Sequence, residues 1–266
     1  CIRDRTGEAD LQAPAQALEQ LHASGWCLIP DVLTAEATAE VRARLVGAAE
    51  ESRARGVPTT YVGLDPNAHN VRVFNLLDLH PVFIELIQHA LALSLVREVL
   101  GEHFLISNFT ANIAQPGSES MALHSDQGIV TTPPWVAAEA MNIIWVLDDM
   151  DEENGATRYV PDSHRWQTPE DLPDDPRALS VPFEAPAGAV LAMDGRLWHT
   201  SGANRSKNRE RALLFGFYCA DHIRPQSNWN VQLRPAVQDR LSPQMRQWLG
   251  LDEGNLRYGA TLTTLP

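Results

Sequence analysis

The sequence predicts a mainly β fold with flanking helices, in which an N-terminal helical part precedes an antiparallel barrel or jelly roll. Before Phe104, apolar side chains recur at steps of three and four residues, which is the spacing of amphipathic helices. From Phe104 onward, short apolar runs alternate with Pro, Gly, Asn and Asp, as they do in antiparallel strands joined by turns. The 266 residues are 44% hydrophobic, which suits one globular domain with a filled core.

Residues 1–103 make up the predicted helical part. Thr34 is a candidate N-cap, Pro81 suits the first turn of a helix, and Gly101 suits the position just after the last turn. The apolar run from Gly25 to Pro30 predicts a short strand that ends at the proline. The predicted helices are Ala13–Gly25, Thr34–Arg55 and Pro81–Leu100.

Residues 104–222 form the predicted β core, and residues 223–266 form a C-terminal extension. The segment 167–180, which is rich in proline and acidic residues, predicts a long surface loop. The predicted strands are 104–114, 120–124, 140–147, 156–160, 188–193 and 211–218.

The charge balance argues against several classes of partner. The chain has 34 Asp and Glu against 21 Lys and Arg, a formal net charge of −13. Nucleic acids and anionic membranes attract clustered cations, so we expect neither as a partner. Apolar runs are far shorter than the roughly 20 residues that span a bilayer. Three widely spaced cysteines without a zinc pattern, and no signal-peptide pattern at the start, predict a cytoplasmic protein.

A histidine and a carboxylate lie two residues apart in His124-Ser125-Asp126, so on a strand they would share one face. His199 follows another apolar run, and a barrel can bring strands that are distant in sequence together. Two imidazoles and one carboxylate on one side of a metal leave the opposite positions open, which suits Fe(II) with a cosubstrate and O2. A chance HxD triplet is the simpler explanation of His124 and Asp126 alone.

Arginines follow His199 in a polar turn that leads into the strand at 211–218. A guanidinium that points into the barrel could bind a carboxylate with two hydrogen bonds. Arg205 fits a solvated turn. Arg209 and Arg211 share strand parity, so parity alone leaves both as candidates.

Four motifs, in a fixed order, form a recognisable series. They are Asn70–Leu77, Leu123–Gly128, Glu153–His164 and Trp198–Arg211. With them the chain resembles the phytanoyl-CoA dioxygenase-like family of Fe(II)/2-oxoglutarate-dependent oxygenases, from about Leu18 to Arg224. The resemblance implies a double-stranded β-helix with N-terminal helices packed on one sheet, and it implies Fe(II) with 2-oxoglutarate and O2 as cosubstrates.

The resemblance also implies roles for individual residues. His124, Asp126 and His199 match the iron ligands. Arg211, twelve residues after His199, matches the arginine that binds the distal carboxylate of 2-oxoglutarate, and it is preferred to Arg209 for that reason.

Three further positions match residues near the cosubstrate. Thr157 matches a hydroxyl that binds the same distal carboxylate, Arg72 a cation near the cosubstrate, and Trp145 an aromatic beside it. Asp162 stands where the family usually has glycine, in a turn where Asp tolerates unusual dihedral angles.

The implied reaction is oxidation of an unactivated C–H bond, either by hydroxylation or by epimerisation, cyclisation or desaturation. Asp126 occupies the position that is vacant in relatives that chlorinate, so halogenation is disfavoured. We expect a small hydrophobic substrate, with a bacterial natural-product intermediate favoured. Phytanoyl-CoA is disfavoured, because an acidic chain shows no basic patch for its phosphates.

The sequence also suggests which residues line the rest of the pocket, and it is compatible with two other functional classes. Phe74, Trp135 and Trp229 are candidates for a hydrophobic pocket, and segments 56–70 and 127–139 are candidates for loops that cover it. A cupin-like isomerase or hydrolase could use the same three ligands without 2-oxoglutarate. A non-catalytic β-barrel binding module would need none of them.

Overall fold

The computed structural model describes residues 12–61 and 63–251. Cys1 and the part of the predicted C-terminal extension after residue 251 lie outside the described residues. The strands are β1 (Trp26–Ile29), β2 (Asn70–Val73), β3 (Phe104–Ala114), β4 (Ala140–Val146), β5 (Thr157–Tyr159), β6 (Val181–Pro182), β7 (Val190–Asp194), β8 (His199–Ser201) and β9 (Arg211–Ala220).

The long helices lie where the sequence predicts them. Thr34 caps one of them, since its hydroxyl accepts a hydrogen bond from the amide of Ala37 at 3.2 Å. The helices are α1 (Ala15–Ser24), α2 (Ala35–Ala54), α3 (Leu76–Leu79), α4 (Pro81–Ile87), α5 (Ala90–Leu100), α6 (Gln127–Val130), α7 (Trp229–Gln232), α8 (Pro235–Gln238) and α9 (Pro243–Trp248).

Two predicted elements are wrong in detail. The helix predicted over Pro81–Leu100 is two helices, because His89 adopts an extended conformation (φ −58°, ψ 129°) that ends α4 and redirects the chain into α5. The strand predicted over 120–124 is absent from the described residues: His124 alone pairs, in an isolated bridge with His199.

The strands form two antiparallel sheets. The larger sheet has six strands in the order β1-β7-β4-β9-β3-β2, and the smaller has three in the order β6-β5-β8. Apolar residues of both sheets pack between them, including Ile144 and Leu213 from the larger sheet and Phe183 beside the smaller one. This is the predicted double-stranded β-helix with helices on the outer face of one sheet.

The two faces of the larger sheet bury different partners. On β4, Met141, Ile143 and Trp145 face the helices, in one core cluster with residues of α2, α4 and α5. Ile144 and Val146, on the opposite face, fill the closed end of the space between the sheets. The alternation follows from the two-residue period of a strand.

A β-bulge reverses this alternation on β3. The register with β9 shifts between Ile106 and Asn108. Before the bulge, Phe104 and Ile106 face the helices; after it, Phe109 and the next odd-numbered residues do. A bulge adds one unpaired residue and so exchanges the two faces of the strand beyond it.

No helix among residues 12–61 and 63–251 has both the length and the apolar character needed to cross a bilayer. Cys27 and Cys219 are buried free thiols. Burial raises the pKa of each to about 12.

Candidate metal centre and cosubstrate pocket

Three side chains that are distant in sequence converge at one end of the β-helix. Backbone hydrogen bonds of 2.8 and 3.0 Å join His124 to His199 at the start of β8. Nε2 of each histidine lies 3.6 Å from a different carboxylate oxygen of Asp126. One ligand atom from each residue lies within 4.8 Å of the other two, close enough for all three to bind one metal ion.

Both imidazole rings are oriented by the backbone. Nδ1 of His124 lies 2.9 Å from the carbonyl oxygen of Ala122, and Nδ1 of His199 lies 2.9 Å from that of Leu197. Because a carbonyl only accepts, each Nδ1 carries the proton and each Nε2 keeps its lone pair for a metal. Burial, and next the neighbouring His199, lower the pKa of His124, which favours the neutral, metal-binding form.

Asn142 on β4 supports the carboxylate. Its amide Nδ2 donates a hydrogen bond to Oδ2 of Asp126. The side chain is buried, with 6% of the residue exposed, and within residues 12–61 and 63–251 its Oδ1 has no hydrogen-bond partner. A fixed donor of this kind orients a ligating carboxylate and tunes its basicity.

The ligands open into a cavity of about 720 Å³ between the sheets. Its lining includes the three candidate ligands together with Arg72, Thr157, Arg211 and Asn142. It also includes Phe74, Ile129 and the segment Gly63–Pro66. The two loops predicted to cover the site therefore each contribute to it.

Arg211, the first residue of β9, is 1% exposed. Its Nε donates to the carbonyl oxygen of Gly155 at 3.1 Å, whereas its buried Nη2 has no hydrogen-bond partner among the described residues. Burial, and next the positive charge of Arg72, lower its pKa to about 10. An unpaired buried guanidinium donor is costly, so this cavity wall suits an anionic ligand such as the distal carboxylate of 2-oxoglutarate.

Arg209, the alternative candidate for binding the cosubstrate, lies outside the cavity lining and forms ion pairs with other residues. It pairs with Asp151 at 2.6 Å and with Glu153 at 2.7 Å on the surface. Thr157, at the start of β5, lines the same cavity as Arg211. Arg72 also lines it, held by Asp65 through hydrogen bonds of 2.7 and 3.0 Å.

The role predicted for Trp145 beside the cosubstrate is wrong. Trp145 has odd parity on β4, faces the helices and is 0% exposed, with its ring centroid 5.3 Å from that of His89. It belongs to the helix-side core and is not part of the cavity lining. The pocket role also fails for Trp135 and Trp229, which lie outside the lining, whereas Phe74 is part of it.

Asp162 occupies its turn as expected. Its φ of 61° lies in the left-handed region that favours glycine and that Asp tolerates. The turn leads into the short 3-10 helix Ser163–Arg165, and the three candidate ligand side chains still converge.

Several residues of the cavity were missed by sequence reasoning. Asn142 is the single polar residue in the run Met141–Leu147, and that isolation was a usable signal. Asp65, Asn108, Thr110 and Gln226 carry no comparable signal, since each is an ordinary polar residue in its local sequence.

Two imidazoles and a carboxylate on a double-stranded β-helix, beside a cavity, are typical of non-haem iron oxygenases. A family model described as Phytanoyl-CoA dioxygenase (PhyH) matches residues 21–212. The dioxygenase af480 of Aspergillus fumigatus is 46% identical over 265 residues, which cover 97% of this chain and 84% of that relative.

Solved structures share the fold. The non-heme alpha ketoglutarate dependent carbocyclase SnoK from nogalamycin biosynthesis has a TM-score of 0.66 and 21% identity, with 90% of this chain and 95% of that chain covered. HygX from Streptomyces hygroscopicus, solved with nickel and 2-oxoglutarate bound, has a TM-score of 0.65 and 16% identity, with 80% and 89% covered.

The chain belongs to the phytanoyl-CoA dioxygenase family. The protein is thus an Fe(II)- and 2-oxoglutarate-dependent dioxygenase, as the sequence motifs predicted. The predicted fold is confirmed. So is the predicted use of iron, 2-oxoglutarate and O2.

Proposed function

We propose that His124, Asp126 and His199 bind Fe(II), and that Arg211 and Thr157 hold 2-oxoglutarate, for oxidation of a C–H bond in a small hydrophobic molecule. The single observation that carries the proposal is the unpaired, buried Nη2 of Arg211 in the same cavity as the three ligand side chains. A buried donor without a partner is rare in a folded protein, and a carboxylate ligand satisfies it.

The chain's contribution is to position and to shield. The three side chains would hold Fe(II) from one side, and the cavity on the other side would receive 2-oxoglutarate, O2 and substrate. Bound Fe(II), with 2-oxoglutarate and O2, supplies the oxidising chemistry, with succinate and CO2 as coproducts. Arg211 and Thr157 bind the far end of the cosubstrate, and Arg72 adds positive charge nearby without leaving Asp65.

The substrate we propose is a natural-product intermediate. Support comes from the cavity, where Phe74, Phe215 and Phe217 form apolar walls, and from SnoK, described as a carbocyclase of nogalamycin biosynthesis. Hydroxylation is the default outcome; SnoN of the same biosynthesis is described as an epimerase, so ring closure and epimerisation belong to the proposal too. A bacterial product stays a prediction, because af480 comes from a fungus.

We infer a reducing compartment, the cytoplasm, for this activity. The supporting observation is that Cys27 and Cys219 are both buried free thiols. A labelled fusion of the full-length protein, followed by microscopy and fractionation, tests the inference.

Anaerobic titration with Fe(II) and 2-oxoglutarate tests the proposed function. We expect a visible charge-transfer band in the native protein and in Arg209→Met. We expect Arg211→Met to need much more 2-oxoglutarate to reach the same absorbance. A folded protein that binds both ligands and shows no band, or that turns over substrate under nitrogen without 2-oxoglutarate, would contradict it.

A further inference from the structure

The inner surface of β3 carries a row of polar side chains that the proposed reaction does not use. Because of the bulge at Ser107, Asn108, Thr110 and Asn112 all point into the cavity. Three consecutive inward positions are therefore polar in a strand whose other face is apolar. Such a row is unexpected in a space that serves only to enclose hydrocarbon.

The neighbouring strand presents the opposite chemistry. Asn108 is paired in register with Phe217, and Thr110 with Phe215, and both rings line the cavity. Phe74 and Ile129 extend the apolar surface at the rim. The cavity thus has a polar stripe beside an aromatic one, which fits a mostly hydrocarbon molecule that carries an oxygen on one edge.

The polar stripe keeps hydrogen-bonding capacity free. The hydroxyl of Thr110 makes no hydrogen bond to any other described residue, although only 8% of the residue is exposed. Asn108 donates through Nδ2 to Oε1 of Gln226, which leaves Oδ1 of Asn108 and Nε2 of Gln226 to a ligand. These groups offer both a donor and an acceptor.

The bulge also holds Gln226 in place at the rim. The amide of Gln226 donates to Oγ of Ser107 at 3.0 Å, and the amide of Ser227 donates to the Ser107 carbonyl oxygen at 2.9 Å. Ser107, the extra residue, therefore directs Asn108 into the cavity, and its hydrogen bonds hold the segment after β9 against β3. The side-chain amides of Asn108 and Gln226 thus form a fixed, polar part of the cavity wall.

Positive charge is not available for a charged substrate. Arg72 and Arg211 are the cations among the described residues that line the cavity. Arg72 forms a bidentate pair with Asp65, whose side chain is 2% exposed, and Arg211 is reserved for 2-oxoglutarate under the proposed function. A buried carboxylate or phosphate on the substrate would lack a partner.

We propose that the substrate is an uncharged, mainly hydrocarbon molecule with a hydroxyl or carbonyl oxygen, and that Thr110, Asn108 and Gln226 bind this oxygen while Phe215 and Phe217 pack against the hydrocarbon. The inference rests on the proposed function and adds the substrate class and its specificity residues. Thr110 lies on the stripe between the rim and the inner end of β3, so it is the residue to change first.

Three probes with one tail and different head groups test the charge requirement: decan-1-ol, decanoate and decyl phosphate. Each probe is titrated calorimetrically into the anaerobic enzyme that has been loaded with Fe(II) and 2-oxoglutarate, and the titration gives the dissociation constant of that probe. We expect decan-1-ol to bind at least about tenfold more tightly than either anion, since a carboxylate or phosphate would lose its hydration in the cavity without gaining a cationic partner, whereas a hydroxyl costs much less to bury. Equal or tighter binding of decanoate or decyl phosphate, or no binding of decan-1-ol, would overturn the inference.

Variants of the stripe test the residues. Thr110→Val keeps the shape and removes the hydroxyl, and we expect it to weaken decan-1-ol binding about three- to tenfold. Thr110→Ser should retain native affinity. Thr38→Val, the same change at a buried threonine of α2 outside the cavity lining, is the matched control. Asn108→Leu supplies a second variant should Thr110→Val fold poorly, with the same expected loss.

The charge-transfer band separates the two levels of proposal. If the band forms and Thr110→Val binds decan-1-ol as the native protein does, the substrate subsite is wrong and the cosubstrate site stands. If the band is absent in native protein, the proposed function fails first. The visible spectrum and the calorimetric titration are recorded on the same samples.

Discussion

The two faces of the larger sheet have opposite chemistry although they are made by the same strands. Trp145 and Ile143 face the helices in a closely packed apolar core, while Asn142, one residue before Ile143, faces the cavity and holds Asp126. On β9, Leu214 faces the helices and Arg211 faces the cavity. Strand parity therefore decides which side chains of β4 and β9 reach the cavity.

The reason lies in what can satisfy a buried polar group. The helix-facing side of the sheet is covered by apolar side chains, and an unpaired polar atom there costs about 1–3 kcal/mol that no ligand can recover. Nε1 of Trp145, which has no hydrogen-bond partner among the described residues, is such an atom. On the cavity side, a ligand can supply the missing partner. The free Nη2 of Arg211 and the free Oδ1 of Asn142 are therefore compatible with a stable fold.

The largest effect is expected on the cavity side, at the metal. Asp126→Ala should abolish succinate release, because it removes the only carboxylate of the ligand cluster found among the described residues. We expect Fe(II) affinity to fall by more than about 100-fold, the upper range for residues that merely support a ligand. Equilibrium dialysis measures the loss, and Asp174→Ala, an exposed aspartate, is the control. Undiminished Fe(II) binding would remove Asp126 from the metal site.

On the helix side, the effect should be on stability. Trp145→Ala should lower the free energy of unfolding by about 3–5 kcal/mol, as expected for truncation of a buried aromatic. Urea denaturation measures this change. Trp145→Phe, which keeps an aromatic ring, should leave the KM for 2-oxoglutarate within about twofold of native. A large increase in the KM for 2-oxoglutarate in folded Trp145→Phe would mean that Trp145 does contribute to the cosubstrate site.

Two arginines that share strand parity should respond differently. Arg211→Met removes a buried charged donor, so the KM for 2-oxoglutarate should rise about 10- to 100-fold. Arg209→Met removes exposed ion pairs and should change that KM little. Steady-state kinetics with varied 2-oxoglutarate measure both. Similar KM values for the two variants would mean that Arg211 does not bind the cosubstrate.

The smallest expected effect concerns support of a ligand. Asn142→Leu removes the donor to Asp126 and should weaken Fe(II) binding about tenfold. Ile144→Val, at the next inward position of β4, should leave Fe(II) affinity unchanged. Equilibrium dialysis compares the two, with circular dichroism as the check on folding. Native Fe(II) affinity in Asn142→Leu would make the hydrogen bond structural only.

Local sequence patterns predicted much of the fold and the central chemistry. The apolar periods identified α1, α2 and most strands, and the cap at Thr34 was correct. The sequence pattern points to His124, Asp126 and His199 as ligands, and these side chains converge in the structure. The spacing from His199 favours Arg211 over Arg209, and Arg211 is the one that is buried in the cavity wall.

The errors arose where local pattern meets long-range packing. The extended His89 divides the predicted helix 81–100, and its ring packs against Trp145 on the helix-facing side of the sheet. The segment 120–124 has strand composition, but among its residues His124 alone has a strand partner. Neither contact is encoded in the spacing of apolar residues, since both depend on segments far away in the chain.

The amino-acid sequence alone determined the class of chemistry, because metal ligation demands particular side chains and these occur in a recognisable order. Tertiary structure decided which groups face the metal. Strand parity turns Trp145 toward the helices and away from the cavity. The extra residue at Ser107 turns Asn108 and Thr110 toward the cavity. The physical reason is that a strand alternates its faces every residue, so the face a side chain occupies is known only once the strand's partners and bulges are known.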